Sequence, residues 1–186
     1  SDWSSASYFF SIAALSESVK LTLSKFSKDS LQGDSKLIDI YKKFGVRTIF
    51  EDENIILKKN NKSLPKSIHL NLIDNPDIAQ TILITCLGLG IDCTLIGLHT
   101  LKIKETDRLV ALKNEIEKFE VDKIEITGDS ITLENNSDLK HDVTIDTYND
   151  HRMAMSFAPL SLLVPINIKN PEVVTKSYFN FWNDLE

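Results

Sequence analysis

The sequence predicts an α/β (α+β) fold in which βαβαββ units repeat around a pseudo-threefold axis, with buried helices at the centre. One observation is an internal repeat of about 74 residues, in which segment 43–57 has a counterpart in segment 118–133. The other is that segments 76–88 and 151–163 are apolar around nearly their whole circumference, which is typical of buried helices. Together they favour a globular domain built from copies of one unit.

The middle copy shows the whole unit, because its apolar pattern alternates between the periods of strands and helices. Its predicted elements are strand 67–73, helix 76–88, strand 93–98, helix 105–119, and strands 123–127 and 130–134. Helix 105–119 has a single apolar stripe and is expected to be half exposed. In the third copy, Pro159 is expected to kink or shorten helix 151–163.

The other two copies are expected to be incomplete. The first lacks the opening strand and the third lacks the closing pair of strands, so neither end resembles a natural domain terminus. We expect one domain over 1–186, with units of about 1–60, 61–138 and 139–186.

The composition narrows the possible functions. With 42% hydrophobic and 26% charged residues, the 186-residue chain has the make-up of a globular protein with a sizeable core. A net charge of −6 argues against general binding to nucleic acids. Cys86 and Cys93 fit no zinc motif, which predicts buried free thiols. The sequence shows neither a signal peptide nor an apolar run of membrane-spanning length, so a cytoplasmic location is expected.

Basic residues fall where helices are predicted to begin. The chain has three arginines among 21 basic residues, and Arg108 and Arg152 lie in charge-dense segments. Lys104 and Arg108 are predicted at or near the first turn of helix 105–119, Arg152 at the start of helix 151–163, and Lys176 at the start of the last helix. Because a helix N-terminus carries partial positive charge, cations there are unfavourable unless they share a bound anion.

Each of these residues also has a purely structural interpretation. Arg108 could pair with Glu105 or Asp107, and Lys176 could be a solvated surface lysine. Asp77 and Glu105 both suit the acidic first turn of a helix. Glu105, however, is flanked by two cations that can tune its pKa for proton transfer.

Two motifs carry a resemblance to a known family. Segments 104–109 (KETDRL) and 147–155 (TYNDHRMAM) resemble signature motifs of the 5-enolpyruvylshikimate-3-phosphate synthases, and 4–9 (SSASYF) and 76–77 resemble further stretches in the same order. The resemblance implies the C-terminal of two similar domains, each of three βαβαββ units, with the active site between them. It also implies that a short N-terminal segment of the full chain completes this domain.

The resemblance implies a reaction without metal or organic cofactor. The family joins phosphoenolpyruvate to the 5-hydroxyl of shikimate 3-phosphate and releases phosphate. By position, Asp77 corresponds to the acceptor of the hydroxyl proton, and Glu105 to the group that exchanges a proton with the methylene carbon. Lys104 corresponds to a residue that contacts shikimate 3-phosphate and assists proton transfer. The expected ligands of phosphoenolpyruvate are Arg108, Arg152 and Lys176.

Two positions depart from the family pattern. Thr100 stands where many members carry an asparagine that touches the shikimate ring, and Lys102 replaces a frequent arginine. With the other domain absent, we expect this chain to be inactive alone, because half of the cleft is missing. Two alternatives stay open: a domain like that of the UDP-N-acetylglucosamine enolpyruvyl transferases, and a non-catalytic anion-binding module.

Overall fold

The computed structural model describes residues 2–26, 36–60, 63–135 and 138–185. The α-helices in these ranges are α1 (Trp3–Leu15), α2 (Leu37–Lys43), α3 (Ala79–Leu89), α4 (Arg108–Glu117), α5 (His151–Phe157) and α6 (Phe181–Leu185). Short 3-10 helices cover Pro76–Ile78, His99–Ile103, Ala158–Leu162 and Pro171–Lys176. No helix in the described part is both long and apolar enough to cross a membrane.

Within the described ranges, the strands form three sheets, one from each predicted repeat. They are β1 (Lys20–Ser24), β2 (Val46–Glu51), β3 (Asn54–Lys59), β4 (Ser67–Asn71), β5 (Asp92–Ile96), β6 (Lys123–Ile126), β7 (Ser130–Glu134), β8 (Val143–Ile145) and β9 (Ile166–Ile168). The strand orders are β1-β3-β2, β4-β5-β7-β6 and β8-β9. β4 and β5 are parallel, as are β8 and β9, whereas the β5-β7 and β6-β7 pairs are antiparallel.

The three sheets are partial copies of one pattern. The antiparallel trio β1-β3-β2 matches β5-β7-β6, so the described first copy has no counterpart of the opening strand β4. The third copy has the parallel pair, and its described residues form no closing hairpin. The predicted fold class is confirmed, with the repeat visible in the sheet topology.

The buried helices α1, α3 and α5 meet at the centre of the fold. α3 packs against both α1 and α5, and the 3-10 helix that continues α5 packs against α1. The Ser7 and Thr81 hydroxyls lie 3.0 Å apart, and the Ser11 and Thr85 hydroxyls lie 2.8 Å apart. In both pairs the partners are 74 residues apart in sequence, so equivalent positions of two repeats meet across the helix interface.

A glycine allows the helices to approach closely at the other end of the centre. A Cβ atom on Gly88 would lie 2.7 Å from Leu15 and 3.0 Å from Leu160, side chains of the other two central segments. A larger residue would therefore push these segments apart, unless the leucine side chains rearranged.

Some predicted helix boundaries are wrong. Helix 105–119 was expected to include Glu105, but α4 begins at Arg108 because Asp107 caps it and accepts hydrogen bonds from the backbone N–H groups of Leu109 and Val110. Lys104 therefore lies outside the helix. Lys176 ends the 3-10 helix Pro171–Lys176 and does not begin a helix. Pro159 does shorten helix 151–163, since α5 ends at Phe157 and a 3-10 turn follows.

The hydroxyl network at the centre provides a stability test. Thr85 Oγ1 lies 2.8 Å from both Ser11 Oγ and Tyr41 Oη, all of them buried. We expect Thr85→Val to lower the free energy of unfolding by about 1–3 kcal/mol, because it leaves buried hydroxyls without a partner. Thr48→Val is the matched control, since the buried Thr48 hydroxyl has no hydrogen-bond partner in the described part. Equal denaturation midpoints for the two variants would contradict the prediction.

Candidate active site

Five of the predicted site residues lie in one cluster. Asp77, in the 3-10 helix before α3, is at its centre: its carboxylate lies 3.3 Å from Lys104 Nζ, 3.4 Å from Arg108 Nη1 and 3.3 Å from Arg152 Nη2. Glu105 joins the cluster through Arg108 Nη2 at 2.6 Å. Residues distant in sequence thus meet where α4, α5 and the 3-10 helix Pro76–Ile78 begin.

The buried Arg108 side chain contacts three carboxylates. It is 1% exposed, and its Nε and Nη2 atoms lie 2.7 and 3.3 Å from the two oxygens of Asp150. Its Nη1 atom donates to Asp77, and its Nη2 atom donates to Glu105 as well as to Asp150. A lysine has one ammonium and could not make this set of contacts.

Asp150 has two structural roles at once. It is the N-cap of α5, where its Oδ1 atom accepts the backbone N–H of Arg152 at 2.8 Å, and it is fully buried while paired with Arg108. The sequence analysis did not identify it as a site residue. An acid directly before a predicted helix start is the usual signature of an N-cap and could have identified it.

Arg152 reaches back from α5 to the second repeat. Its Nη1 atom donates to the Asp77 carbonyl at 3.2 Å, and its Nη2 atom to the Asp77 carboxylate. The buried Tyr8 hydroxyl also hydrogen-bonds to Arg152, and burial raises the pKa of Tyr8 to about 12 despite that cation. Tyr8 therefore stays neutral and fixes the arginine without adding charge.

The cluster holds Asp77 in its ionised form. Burial alone would raise the pKa of Asp77, but Arg152, Lys104 and Arg108 outweigh it, and the net effect is a lowered pKa. Lys104 and Asp77 keep about a third of their side-chain surface exposed, at 34% and 32%. A dissolved anion can therefore reach these two residues, while Arg108 lies beneath them.

His151 lies beside Glu105 without a hydrogen bond. Its Nδ1 atom is 3.8 Å from Glu105 Oε1 and, in the described part, has no hydrogen-bond partner. Burial lowers the pKa of His151, so the neutral imidazole is favoured near pH 7.

Three residues of the cluster have the spacing of metal ligands: Glu105, Asp150 and His151 have ligand atoms within 4.8 Å of one another. Both Asp150 oxygens already accept N–H groups, so a cation there would meet the Arg108 guanidinium, and the set does not suit a metal.

The remaining predicted residues lie around this cluster. Lys176 Nζ donates to the carbonyl and the side-chain oxygen of Asn149, at 2.7 and 2.8 Å, and so borders the turn before α5. Thr100 lies in the 3-10 helix His99–Ile103, and its buried hydroxyl has no protein partner among the described residues. Lys102, in the same helix, is exposed.

Known proteins resemble the chain over its whole length. Residues 1–185 match the family described as EPSP synthase (3-phosphoshikimate 1-carboxyvinyltransferase). A 3-phosphoshikimate 1-carboxyvinyltransferase of Bacteroides fragilis is 42% identical over 100% of this chain and 45% of its own length. One of Methanospirillum hungatei is 35% identical over 99% of this chain and 42% of its own length. The chain therefore spans less than half the length of these relatives.

Solved structures share the fold. EPSP synthase from Acinetobacter baumannii superposes with a TM-score of 0.75 at 23% identity, over 96% of this chain and 43% of that one. The enolpyruvyl transferase NikO from Streptomyces tendae gives a TM-score of 0.65 at 11% identity, over 99% of this chain and 42% of that one. At these identities the likeness bears on the fold alone.

The buried guanidinium provides a second stability test. We expect Arg108→Lys to lower the free energy of unfolding by about 2–4 kcal/mol, because Asp150 would keep its burial and lose its paired contacts. Arg47→Lys, on an exposed position of β2, is the control and should change the free energy by less than about 0.5 kcal/mol. Urea denaturation of both variants measures the difference, and equal effects would contradict a structural role for the fork.

The pKa of Asp77 predicts a pH dependence. Because it is lower in the folded chain than in the unfolded chain, Asp77 contributes stability above the unfolded pKa, near pH 4, and loses it as the pH falls through the folded value. Melting temperatures between pH 6 and pH 2.5 should therefore fall less steeply for Asp77→Asn than for the unsubstituted chain. Asp74→Asn, at an exposed acid nearby in sequence, is the control. Parallel curves for all three proteins would show that Asp77 has no such effect.

Proposed function

The chain belongs to the EPSP synthase (3-phosphoshikimate 1-carboxyvinyltransferase) family, and on that premise we propose that it forms half of an active site that transfers the enolpyruvyl group from phosphoenolpyruvate to the 5-hydroxyl of shikimate 3-phosphate. The observation that carries the proposal is the convergence of Lys104, Arg108 and Arg152 on the Asp77 carboxylate. The other half would come from the part of the relatives that this chain does not span.

The cations suit a substrate with a carboxylate and a phosphate. Lys104 keeps 34% of its side chain exposed and Arg152 keeps 16%, and Lys176 borders the turn before α5, so these three would bind phosphoenolpyruvate most directly. Arg108 contributes mainly through its charge, because carboxylates hold most of its donors. Its longest contact, 3.4 Å from Nη1 to Asp77, is the one that a substrate oxygen would replace most easily.

Asp77 is suited to accept the hydroxyl proton once substrate is bound. In the free chain, the surrounding cations make it a weak base. A bound anion would partly neutralise Arg152 and Lys104, so the pKa of Asp77 would rise towards the range in which it accepts a proton efficiently. Substrate binding would thus make Asp77 a stronger base.

Glu105 would transfer the second proton of the reaction. The hydroxyl oxygen bonds to C2 of phosphoenolpyruvate while its proton passes to Asp77, and the methylene carbon takes a proton from Glu105. The C2–O bond to phosphate then breaks, the methylene carbon returns a proton to Glu105 to restore the double bond, and Asp77 gives its proton to the departing phosphate. Glu105 is partly exposed, hydrogen-bonded to Arg108 and adjacent to His151, so its carboxyl group is accessible to a bound substrate. Lys104 stabilises the developing negative charge.

Two other functions remain in competition. A UDP-N-acetylglucosamine enolpyruvyl transferase would use the same chemistry, and likeness of fold does not separate acceptor substrates. A non-catalytic module would bind the anion without turnover. The KETDR segment at 104–108 favours the shikimate reaction over the first of these.

Arginine side-chain NMR signals provide a direct binding test. The chain has only Arg47, Arg108 and Arg152, so three Nε–H signals suffice to map binding. Phosphoenolpyruvate should shift the Arg152 signal, and more weakly that of Arg108, with a dissociation constant of about 1 mM or weaker for half a site. Arg47, exposed on β2, is the internal control. Equal chemical-shift changes of the Arg47 and Arg152 Nε–H signals, or no change in either, would contradict the proposal.

Substituting the base should separate binding from turnover. Asp77→Asn removes a negative charge among the cations, so we expect it to bind phosphoenolpyruvate about 3- to 10-fold more tightly. Mixed with the N-terminal half of the Bacteroides fragilis relative, the unsubstituted chain should release phosphate only when both substrates are present. The Asn variant should be slower by about 100-fold or more.

Each outcome of that assay favours one function. Phosphate release with shikimate 3-phosphate supports the proposal, whereas release with the UDP-amino sugar alone supports the first alternative. A complex that forms and binds phosphoenolpyruvate without releasing phosphate supports the non-catalytic module.

A further inference from the structure

The turn that leads into α5 is strained. Tyr148 and Asn149 both adopt left-handed backbone conformations, with φ of 54° and 57°. Residues with a Cβ atom rarely adopt these backbone angles, and two such residues in succession persist only where surrounding contacts hold them. The turn is closed by a hydrogen bond from Asp150 N–H to the Thr147 carbonyl at 2.8 Å, and it presents both Asp150 and Arg152 to the site.

A buried carboxylate holds this turn. Glu115 is fully buried on α4, two helical turns after Arg108, and its Oε1 atom accepts the Tyr148 hydroxyl at 2.7 Å. Its Oε2 atom accepts the Asp146 backbone N–H at 2.9 Å. One carboxylate therefore holds both the approach to the strained residues and the first of them.

The charge of Glu115 is balanced by a lysine that contacts the same segment. Lys118 Nζ lies 2.5 Å from Glu115 Oε2, and also donates to the Thr144 carbonyl and to the Asp146 carboxylate. An apolar residue would fill this buried position at no electrostatic cost, whereas a buried charge needs partners. Apart from Lys118, the C-cap of α4, the hydrogen-bond partners of the Glu115 carboxylate in the described part of the chain belong to the segment before α5.

We propose that Glu115 is a positioning residue for the candidate active site. From α4 it fixes the Tyr148–Asn149 turn, and through that turn it sets the positions of Asp150 and Arg152. α4 thus holds the start of α5 at two points, by Arg108 with Asp150 and by Glu115 with Tyr148. The inference rests on the proposed function only for the identity of the anion that Arg152 binds.

Three variants of the chain test this role. Glu115→Gln keeps the shape and removes the charge, and Tyr148→Phe removes only the hydroxyl that Glu115 accepts. Glu117→Gln is the matched control, because it is the same substitution on the same helix at an exposed residue paired with Lys113. We expect the affinity for phosphoenolpyruvate, followed by the Arg152 Nε–H signal, to fall about tenfold in Glu115→Gln and about threefold in Tyr148→Phe. It should stay within twofold in the control.

A second measurement needs no ligand. Amide hydrogen exchange at Asp150, whose N–H closes the turn, should quicken about tenfold or more in Glu115→Gln and not in Glu117→Gln. The double variant Glu115→Gln/Tyr148→Phe should lose less affinity than the sum of the two single losses, because both substitutions weaken the same contact between positions 115 and 148.

The possible failures can be distinguished. If the unsubstituted chain does not bind phosphoenolpyruvate, the proposed function fails, and the exchange measurement alone decides the role of Glu115. If the chain binds and both Glu115→Gln and Tyr148→Phe keep its affinity and its exchange rate, the positioning role is overturned. If Glu115→Gln lowers the melting temperature and leaves the affinity for phosphoenolpyruvate unchanged, Glu115 has only a structural role. If Glu115→Gln does not fold, Tyr148→Phe decides.

Discussion

The buried ion pair between Arg108 and Asp150 is the interaction on which the site depends. Asp150 caps α5, Arg108 is the first residue of α4, and both are almost inaccessible to solvent, so the pair ties two helix N-termini of different repeats together. Removing Arg108 would leave the fully buried Asp150 without this cation, whereas removing Asp150 would leave Arg108 paired with Glu105 and Asp77. The other groups are arranged around this pair: Glu105 and Asp77 contact the same guanidinium, and Arg152 follows Asp150 in α5.

The site contains cations at helix N-termini, where the helix dipole disfavours positive charge, and neighbouring carboxylates offset that charge. In the free chain, Asp77, Glu105 and Asp150 oppose Lys104, Arg108 and Arg152, which leaves this group of six near neutrality. The carboxylates differ in exposure: Asp150 is fully buried, whereas Asp77 and Glu105 remain about a third accessible. A dissolved anion can therefore compete with the exposed acids for the cations while the buried pair stays intact. A buried ion pair that stays in place, beneath exposed carboxylates that an anion can displace, suits a site that binds and releases charged substrates.

Repetition made much of the fold predictable. The same alternation of periods marks each unit, and the hydrogen bonds Ser7–Thr81 and Ser11–Thr85 join positions separated by one repeat. Helix starts were harder to predict, because a cap is decided by a single side chain. Asp107 begins α4 three residues later than apolar periodicity suggests, and Lys176 lies at a helix end. Lys104 and Arg108 lie close together through their common contact with Asp77, and not on a shared helical face.

The sequence by itself identified most of the charged groups of the candidate site, though not Asp150, because cations and acids near helix starts are local patterns with a local electrostatic meaning. It also determined the fold class, since periodicity is a property of neighbouring residues. Only the tertiary structure decided which charges meet. It paired Arg108 with Asp150 and not with Asp107, and it brought Glu115 of α4 to Tyr148 of the next repeat. Such pairings depend on burial and on how helices pack, and residues far apart in the chain carry no sign of them until the core brings them into contact.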